Sequence, residues 1–320
     1  MESGLVPYYF EQMNGLATEI SRLLGFSSPN ENLVNYDILD RHADDGFDRQ
    51  LIEYSGEDSD RIGAYLFVPQ GRGPFPAVLV LHQHNSQWHL GKSEVAGIAG
   101  DPLNGFGPVL ARKGCVVLAP DSIGFEDRRA HIRGIEPHDK DWLNYYNGMA
   151  HRLVSGKLLL TKVLNESATA ISLLLSHPQV LTNRVGILGH SYGGSTAIFH
   201  AALDERICFV CASGAACSFA RKIKSGTGLE MSLVIPGFYS RWDIPDLIAC
   251  FGSRPTLLVS AEEDPYSEDA NEIVVEVNRR LSDVGVPNLL EHSRYPGGHA
   301  LTQQRFDQIV SWVCARAAGL

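Results

Sequence analysis

The sequence predicts an α/β fold in which a mostly parallel central sheet carries helices on both faces. Three observations predict it. Short apolar runs of strand length recur along the chain and end in polar clusters. Helical patterns separate these runs, as crossover connections between parallel strands require. One run, Val185 to Leu188, feeds into a Gly-x-Ser-x-Gly turn and then a helix-like stretch, Ser195 to Leu203. A chain of 320 residues can bury a large core. Its 44% hydrophobic and 20% charged content are ordinary for a globular protein.

The elements follow in order. Residues 4–24 place Leu5, Tyr8, Tyr9, Met13, Leu16, Ile20 and Leu23 roughly on one face of an amphipathic helix, closed by Ser27-Ser28-Pro29-Asn30. Alternating stretches at Leu51–Tyr54 and Ile62–Val68, with a Gly- and Asp-rich turn between them, predict an antiparallel hairpin at a sheet edge. Ala77–Leu81 is apolar throughout and predicts a strand covered on both faces, ending in His82-Gln83-His84-Asn85. A helix over 106–113 leads to a strand over Cys115–Ala119, which ends in Pro120-Asp121. After the Gly-x-Ser-x-Gly turn, strands are expected at Ile207–Ala212, at Thr256–Ala261 and near Asn288–Tyr295.

Two connections, about 122–160 and 218–254, exceed a simple crossover and read as lid-like insertions. The expected organisation is an N-terminal helical segment over 1–30 and an α/β domain over 31–320 that carries both insertions.

The turn Gly189-His190-Ser191-Tyr192-Gly193, with Gly194 behind it, is where chemistry is expected. It is so tight that a side chain two residues either side of the serine would clash. Ser191 projects from it above a helix N-terminus. A serine hydroxyl attacks only when a base takes its proton, and the base needs a third group to fix its tautomer. Behind such a turn the chain order is nucleophile, acid, histidine. Asp264 and His299 each follow a strand in that order; Glu262 and Glu263 flank Asp264 as rival acids, and Asp264 is preferred because it stands a short turn beyond the strand end.

A developing oxyanion needs two backbone N–H donors. They are expected from Tyr192, directly after the nucleophile, and from His84 in the loop after the first central strand. Gln83 and Asp121 stand in the polar strand-end clusters, where substrate contacts are expected. Arg128 in the first long connection is a candidate clamp for a substrate anion, against the alternative of an ion-paired arginine. Trp142 and Trp242, with Trp88, Tyr145 and Tyr146, are candidates to line an apolar pocket.

Other chemistries find less support. His82 and His84 form an His-x-His pair, but Asn85, Ser86, Gln87 and Trp88 follow, so the Asp and second His of the metallo-hydrolase pattern are missing. No metal and no organic cofactor is expected. Cys208 and Cys211 would point to opposite faces of a strand, and no second ligand pair follows. All six cysteines are expected as free thiols, which suits a reducing cytoplasm. The N-terminal stretch shows neither a basic n-region nor an apolar h-region, and a cytoplasmic location is the expectation. A formal charge of −10 disfavours nucleic acid and anionic membranes as partners.

Taken together, Leu81–Asn85, Ala119-Pro120-Asp121, Gly189–Gly194, Val259–Asp264 and Gly297-Gly298-His299 resemble the α/β-hydrolase superfamily, in its dienelactone-hydrolase-like and acetyl-xylan-esterase-like branch. The resemblance spans about residues 45–318. It implies an α/β-hydrolase fold and a serine hydrolase acting on a small-molecule ester, a short acyl ester or a lactone, through an acyl-enzyme. Two departures stand out: dienelactone hydrolases use cysteine where this chain has Ser191, and Gln83 stands where relatives often have glycine. An acyltransferase or a peptidase would use the same three residues, and a non-catalytic hydrolase-fold binding protein is a further alternative. A homo-oligomer is compatible with the sequence.

Overall fold

The computed structural model describes residues 5–27, 34–287 and 289–319. The expected apolar positions Leu5, Tyr8 and Tyr9, the helix-closing Ser28-Pro29-Asn30 and the expected strand start at Asn288 lie outside the described residues or side chains. Helix α1 (Leu5–Leu24) is followed by three strands, β1 (Tyr36–Asp44), β2 (Phe47–Ser55) and β3 (Arg61–Pro69). Strand β4 (Phe75–Leu81) and helices α2 (Lys92–Val95) and α3 (Phe106–Arg112) lead to β5 (Val116–Pro120). Helices α4 (Asp141–Val154) and α5 (Leu159–Ser176) precede β6 (Val180–His190), which runs into α6 (Tyr192–Leu203). Then come β7 (Phe209–Ser213), α7 (Phe219–Ser225), α8 (Ile244–Ala249), β8 (Thr256–Ala261), α9 (Ala270–Asp283), β9 (Leu290–Tyr295) and α10 (Gln303–Ala318).

The strands form one sheet in the order β1-β2-β3-β5-β4-β6-β7-β8-β9. Pairing is antiparallel from β1 to β5 and parallel from β5 to β9. The expected hairpin is β2 and β3. The additional edge strand β1 has no counterpart in the sequence reading, because it is exposed along most of its length and has no apolar alternation to betray it. The Asp45-Gly46 turn before Phe47, with Gly46 at φ +86°, is the local signal that announces it.

Alternation along β4 shows why its run is apolar throughout. Ala77 and Leu79 enter a core shared with α1, α5, α6, α8 and α9, whereas Val78 and Val80 enter a second core under α2, α3 and α10. Each such buried aliphatic side chain contributes about 1.5–3 kcal/mol. Helices thus cover both faces, and the parallel strands β4, β6, β7, β8 and β9 all end at one edge. The first long connection holds α4 and a 3₁₀ turn at Glu126–Arg128; the second holds α7, a 3₁₀ turn at Met231–Leu233 and α8. The six cysteines are free thiols.

Candidate active site

Ser191 caps α6 with φ +55° and ψ −118°, a conformation that L-residues rarely hold and that costs about 1–3 kcal/mol. The surroundings enforce it. A Cβ on Gly189 would stand 2.1 Å from the Gly193 carbonyl carbon, and one on Gly193 would stand 2.2 Å from the Leu81 carbonyl oxygen. Both contacts are with backbone, so neither can yield cheaply. The Ser191 N–H donates to the Ser213 carbonyl at 2.8 Å, which ties the turn to β7.

The Ser191 hydroxyl lies 2.7 Å from His299 Nε2, and His299 Nδ1 lies 2.9 Å from Asp264 Oδ1. Asp264 is 2% exposed and also accepts from the Tyr266 N–H at 2.9 Å and the Ser267 hydroxyl at 2.7 Å. Burial pushes its carboxyl up, but the His299 and Ser267 hydrogen bonds and the Tyr266 amide outweigh this and leave it below the ordinary value. It therefore stays ionised and favours a His299 proton on Nδ1. Glu262 and Glu263 are both exposed to solvent, so burial separates Asp264 from its rivals. His190 stacks on His299 with centroids 5.0 Å apart, and its own ring is pushed down to about 3, mainly by burial, so it is neutral.

The pocket above Ser191 encloses about 230 Å³ and is walled by His84, Asn85, Ser86, Trp88, Trp142, Glu230, Met231 and Tyr266. The loop after β4 turns sharply here, with the non-glycine residues Asn85 and Ser86 at φ +39° and +55°. The amide of Tyr192, the first residue of α6, has no intramolecular acceptor among the described residues, and neither has that of His84. His82 is different: Nε2 accepts from the Ser122 N–H at 3.1 Å while Nδ1 donates to the Gln83 carbonyl at 2.7 Å. Both ring nitrogens are used, which leaves no lone pair for a metal. Among the described residues one acidic group has metal-like spacing, Asp121, Glu126 and Asp127, and the Lys92 ammonium sits in its centre at 2.5–2.8 Å.

Four expected substrate contacts need correction. The Arg128 guanidinium is not a clamp at the pocket; it grips Glu166 at 2.6 and 2.8 Å and Asp60 at 3.0 Å, with only 4% of the side chain exposed. Asp121 is buried against the Lys92 ammonium and amide. The Gln83 side chain turns inward to donate to Glu94 at 2.8 Å. Trp242 packs beside Phe238 in the core. Neither a position past a strand end, as for Gln83 and Asp121, nor one in a long connection, as for Arg128 and Trp242, fixes the direction of a side chain, and these four found buried partners instead. Trp142 does reach the pocket mouth, where it is 52% exposed and stacks on Tyr146.

Glu230, Met231 and Tyr266 in the wall escaped the sequence reading. Tyr266, whose ring lies 4.9 Å from that of His299, follows Asp264 by two positions and was visible as part of that loop. Glu230 stands in the second long connection, where no motif marks it.

The family model for acetyl xylan esterases (AXE1) matches residues 44–239, well over half the chain. This chain belongs to the acetyl xylan esterase family. The match takes in the loop after β4, Ser191 and Glu230. A Bacillus subtilis protein named "Putative hydrolase YtaP" is 30% identical over 193 residues, 59% of this chain and 60% of that protein. The match therefore spans less than two thirds of that relative's length. Among solved structures, a "putative acetyl xylan esterase" from Bacteroides fragilis superposes with TM-score 0.75 at 16% identity, over 92% of this chain and 77% of that one. The glucuronoyl esterase from Solibacter usitatus gives TM-score 0.67 at 16% identity, over 94% and 92%. At these identities the likeness is one of fold, and that fold is the α/β-hydrolase fold.

Proposed function

We propose that this family member is a carboxylic ester hydrolase that works through an acyl-enzyme on Ser191. The observation that carries this reading is the continuous hydrogen-bonded line from Ser191 Oγ through His299 to Asp264 at the floor of a solvent-reachable pocket. His299 Nε2 takes the hydroxyl proton as Oγ adds to the ester carbonyl. Asp264 holds the imidazolium in place. The amides of Tyr192 and His84 receive the oxyanion. His299 then returns the proton to the departing alcohol, and a water molecule repeats the sequence to release the acid and restore Ser191.

A pocket of this size, partly filled by Trp88 and Met231, suits a short acyl group. The family and the esterase neighbours make an acetyl ester of a polyhydroxy alcohol the leading substrate, with a small lactone as the variant. The test is turnover of acetate esters by the wild type beside Ser191→Ala, with folding checked by circular dichroism. A loss of about a million-fold in kcat is expected. Retained turnover in the folded variant would remove Ser191 from the mechanism.

A further inference from the structure

The pocket wall carries one acidic side chain that ester hydrolysis does not use. Three buried carboxylates near this end of the sheet are supplied with donors: Glu94 receives Gln83 and Asn104, Glu126 receives Lys92 and Ser93, and Glu166 receives Arg128. Glu230 is not. Its side chain is 17% exposed, it lines the pocket above Ser191, and no donor reaches its carboxyl within hydrogen-bond distance among the described residues. His84 Nδ1 is 3.9 Å away, too far for a hydrogen bond, and already accepts the Ser86 N–H. That ring is held down at about 4, mainly by burial, so it supplies no charge at neutral pH. A half-sheltered carboxyl that no protein donor holds is free to take one from a group that enters the pocket.

We infer that Glu230 is a specificity-determining residue whose carboxyl receives a hydroxyl or ammonium donor carried by the substrate beside its scissile ester, and that it turns away esters bearing a carboxylate there. The inference rests on the hydrolase reading above and adds to it the chemistry of the group next to the reacting bond. A site built to hydrogen-bond one substrate group discriminates strongly against analogues that lack it. Burial pushes the Glu230 carboxyl up to about 7, against the pull of Lys222 and His299. The groups that face it are Lys222, His84, His299 and the phenols of Tyr145, Tyr192 and Tyr266. Discrimination in favour of a cation should therefore strengthen as pH rises through that value.

The experiment compares kcat/KM for propyl acetate, hydroxyethyl acetate, dimethylaminoethyl acetate and acetoxyacetate in the wild type, Glu230→Gln and Glu230→Leu. The wild type is expected to prefer at least one donor-bearing ester over propyl acetate by about 10-fold, with Glu230→Leu losing that preference. Glu230→Gln should keep a hydroxyl preference, lose an ammonium preference and gain about 10-fold on acetoxyacetate. The preference that disappears identifies which donor is the natural one. Independently of either variant folding, the wild-type ratio of dimethylaminoethyl to propyl ester should climb between about pH 6 and about pH 7.5. Ester ratios that agree across all three proteins would overturn the assignment of Glu230 while leaving Ser191-dependent hydrolysis intact, and a flat wild-type ratio over that range would overturn the ammonium donor. No turnover of any ester, with Ser191 unlabelled by a phosphonate, would overturn the hydrolase reading and this inference with it.

Discussion

The guanidinium of Arg128 closes on the Glu166 carboxylate with two hydrogen bonds, 2.6 and 2.8 Å long, joining the turn after β5 to the middle of α5. The Lys162 ammonium completes the group at 2.9 Å from Glu166. Both partners are nearly inaccessible to water, so the pair ties the first long connection to the sheet-covering layer and does not touch the pocket.

Removing one partner of such a pair leaves a charge buried without its counter-ion. Arg128→Met is expected to lower the unfolding free energy by about 3 kcal/mol, softened by the remaining Lys162 contact. The same variant, assayed while folded, should keep its KM for acetate esters. Denaturant unfolding and steady-state kinetics measure the two halves, and a raised KM with unchanged stability would return Arg128 to the role of a substrate clamp.

At Ser191 the backbone strain separates two variants that both remove the hydroxyl. Alanine keeps a Cβ at φ +55°, whereas glycine removes it. Ser191→Gly should be more stable than Ser191→Ala by about 1 kcal/mol, the reverse of their order in an ordinary helix. Parallel thermal or urea melts decide it.

Glu94 supplies a pH dependence with a definite sign. Burial raises its carboxyl from the ordinary 4.5 to about 7, partly offset by hydrogen bonds from Gln83 and Asn104. Between those values the folded protein holds a proton that the unfolded chain has released, so stability falls as pH rises through that window. The full effect is about 3 kcal/mol at most. Glu94→Gln cannot titrate, and its unfolding free energy should decline less than that of the wild type between about pH 5 and about pH 8. Equal slopes in urea titrations would place the proton elsewhere. Because Glu94 holds Gln83, the same titration bears on the loop that carries the His84 amide.

Much of the architecture was legible because its signals are local. The apolar runs at Ala77–Leu81 and Thr256–Ala261 mark strands covered on both faces, and they are so covered. The glycines around Ser191 mark a turn in which backbone meets backbone, and the spacing of Asp264 and His299 behind later strands put both on the same sheet edge. The edge strand β1 was not legible, since a strand exposed along most of its length has no hydrophobic period.

By itself, then, the sequence determined the α/β class, the parallel order of strand and helix, and the candidates Ser191, Asp264 and His299. Those features depend on short-range sterics and on periodic burial, which neighbouring residues encode. Only the tertiary structure decided which way side chains point once they leave a strand end. It buried Asp264 and exposed Glu262 and Glu263, gave Arg128 to Glu166 and Asp121 to Lys92, and left Glu230 facing the pocket above Ser191 with no donor among the described residues. The physical reason is that a charged side chain goes where a distant partner or water can solvate it, and that partner is set by the whole fold and not by the local chain.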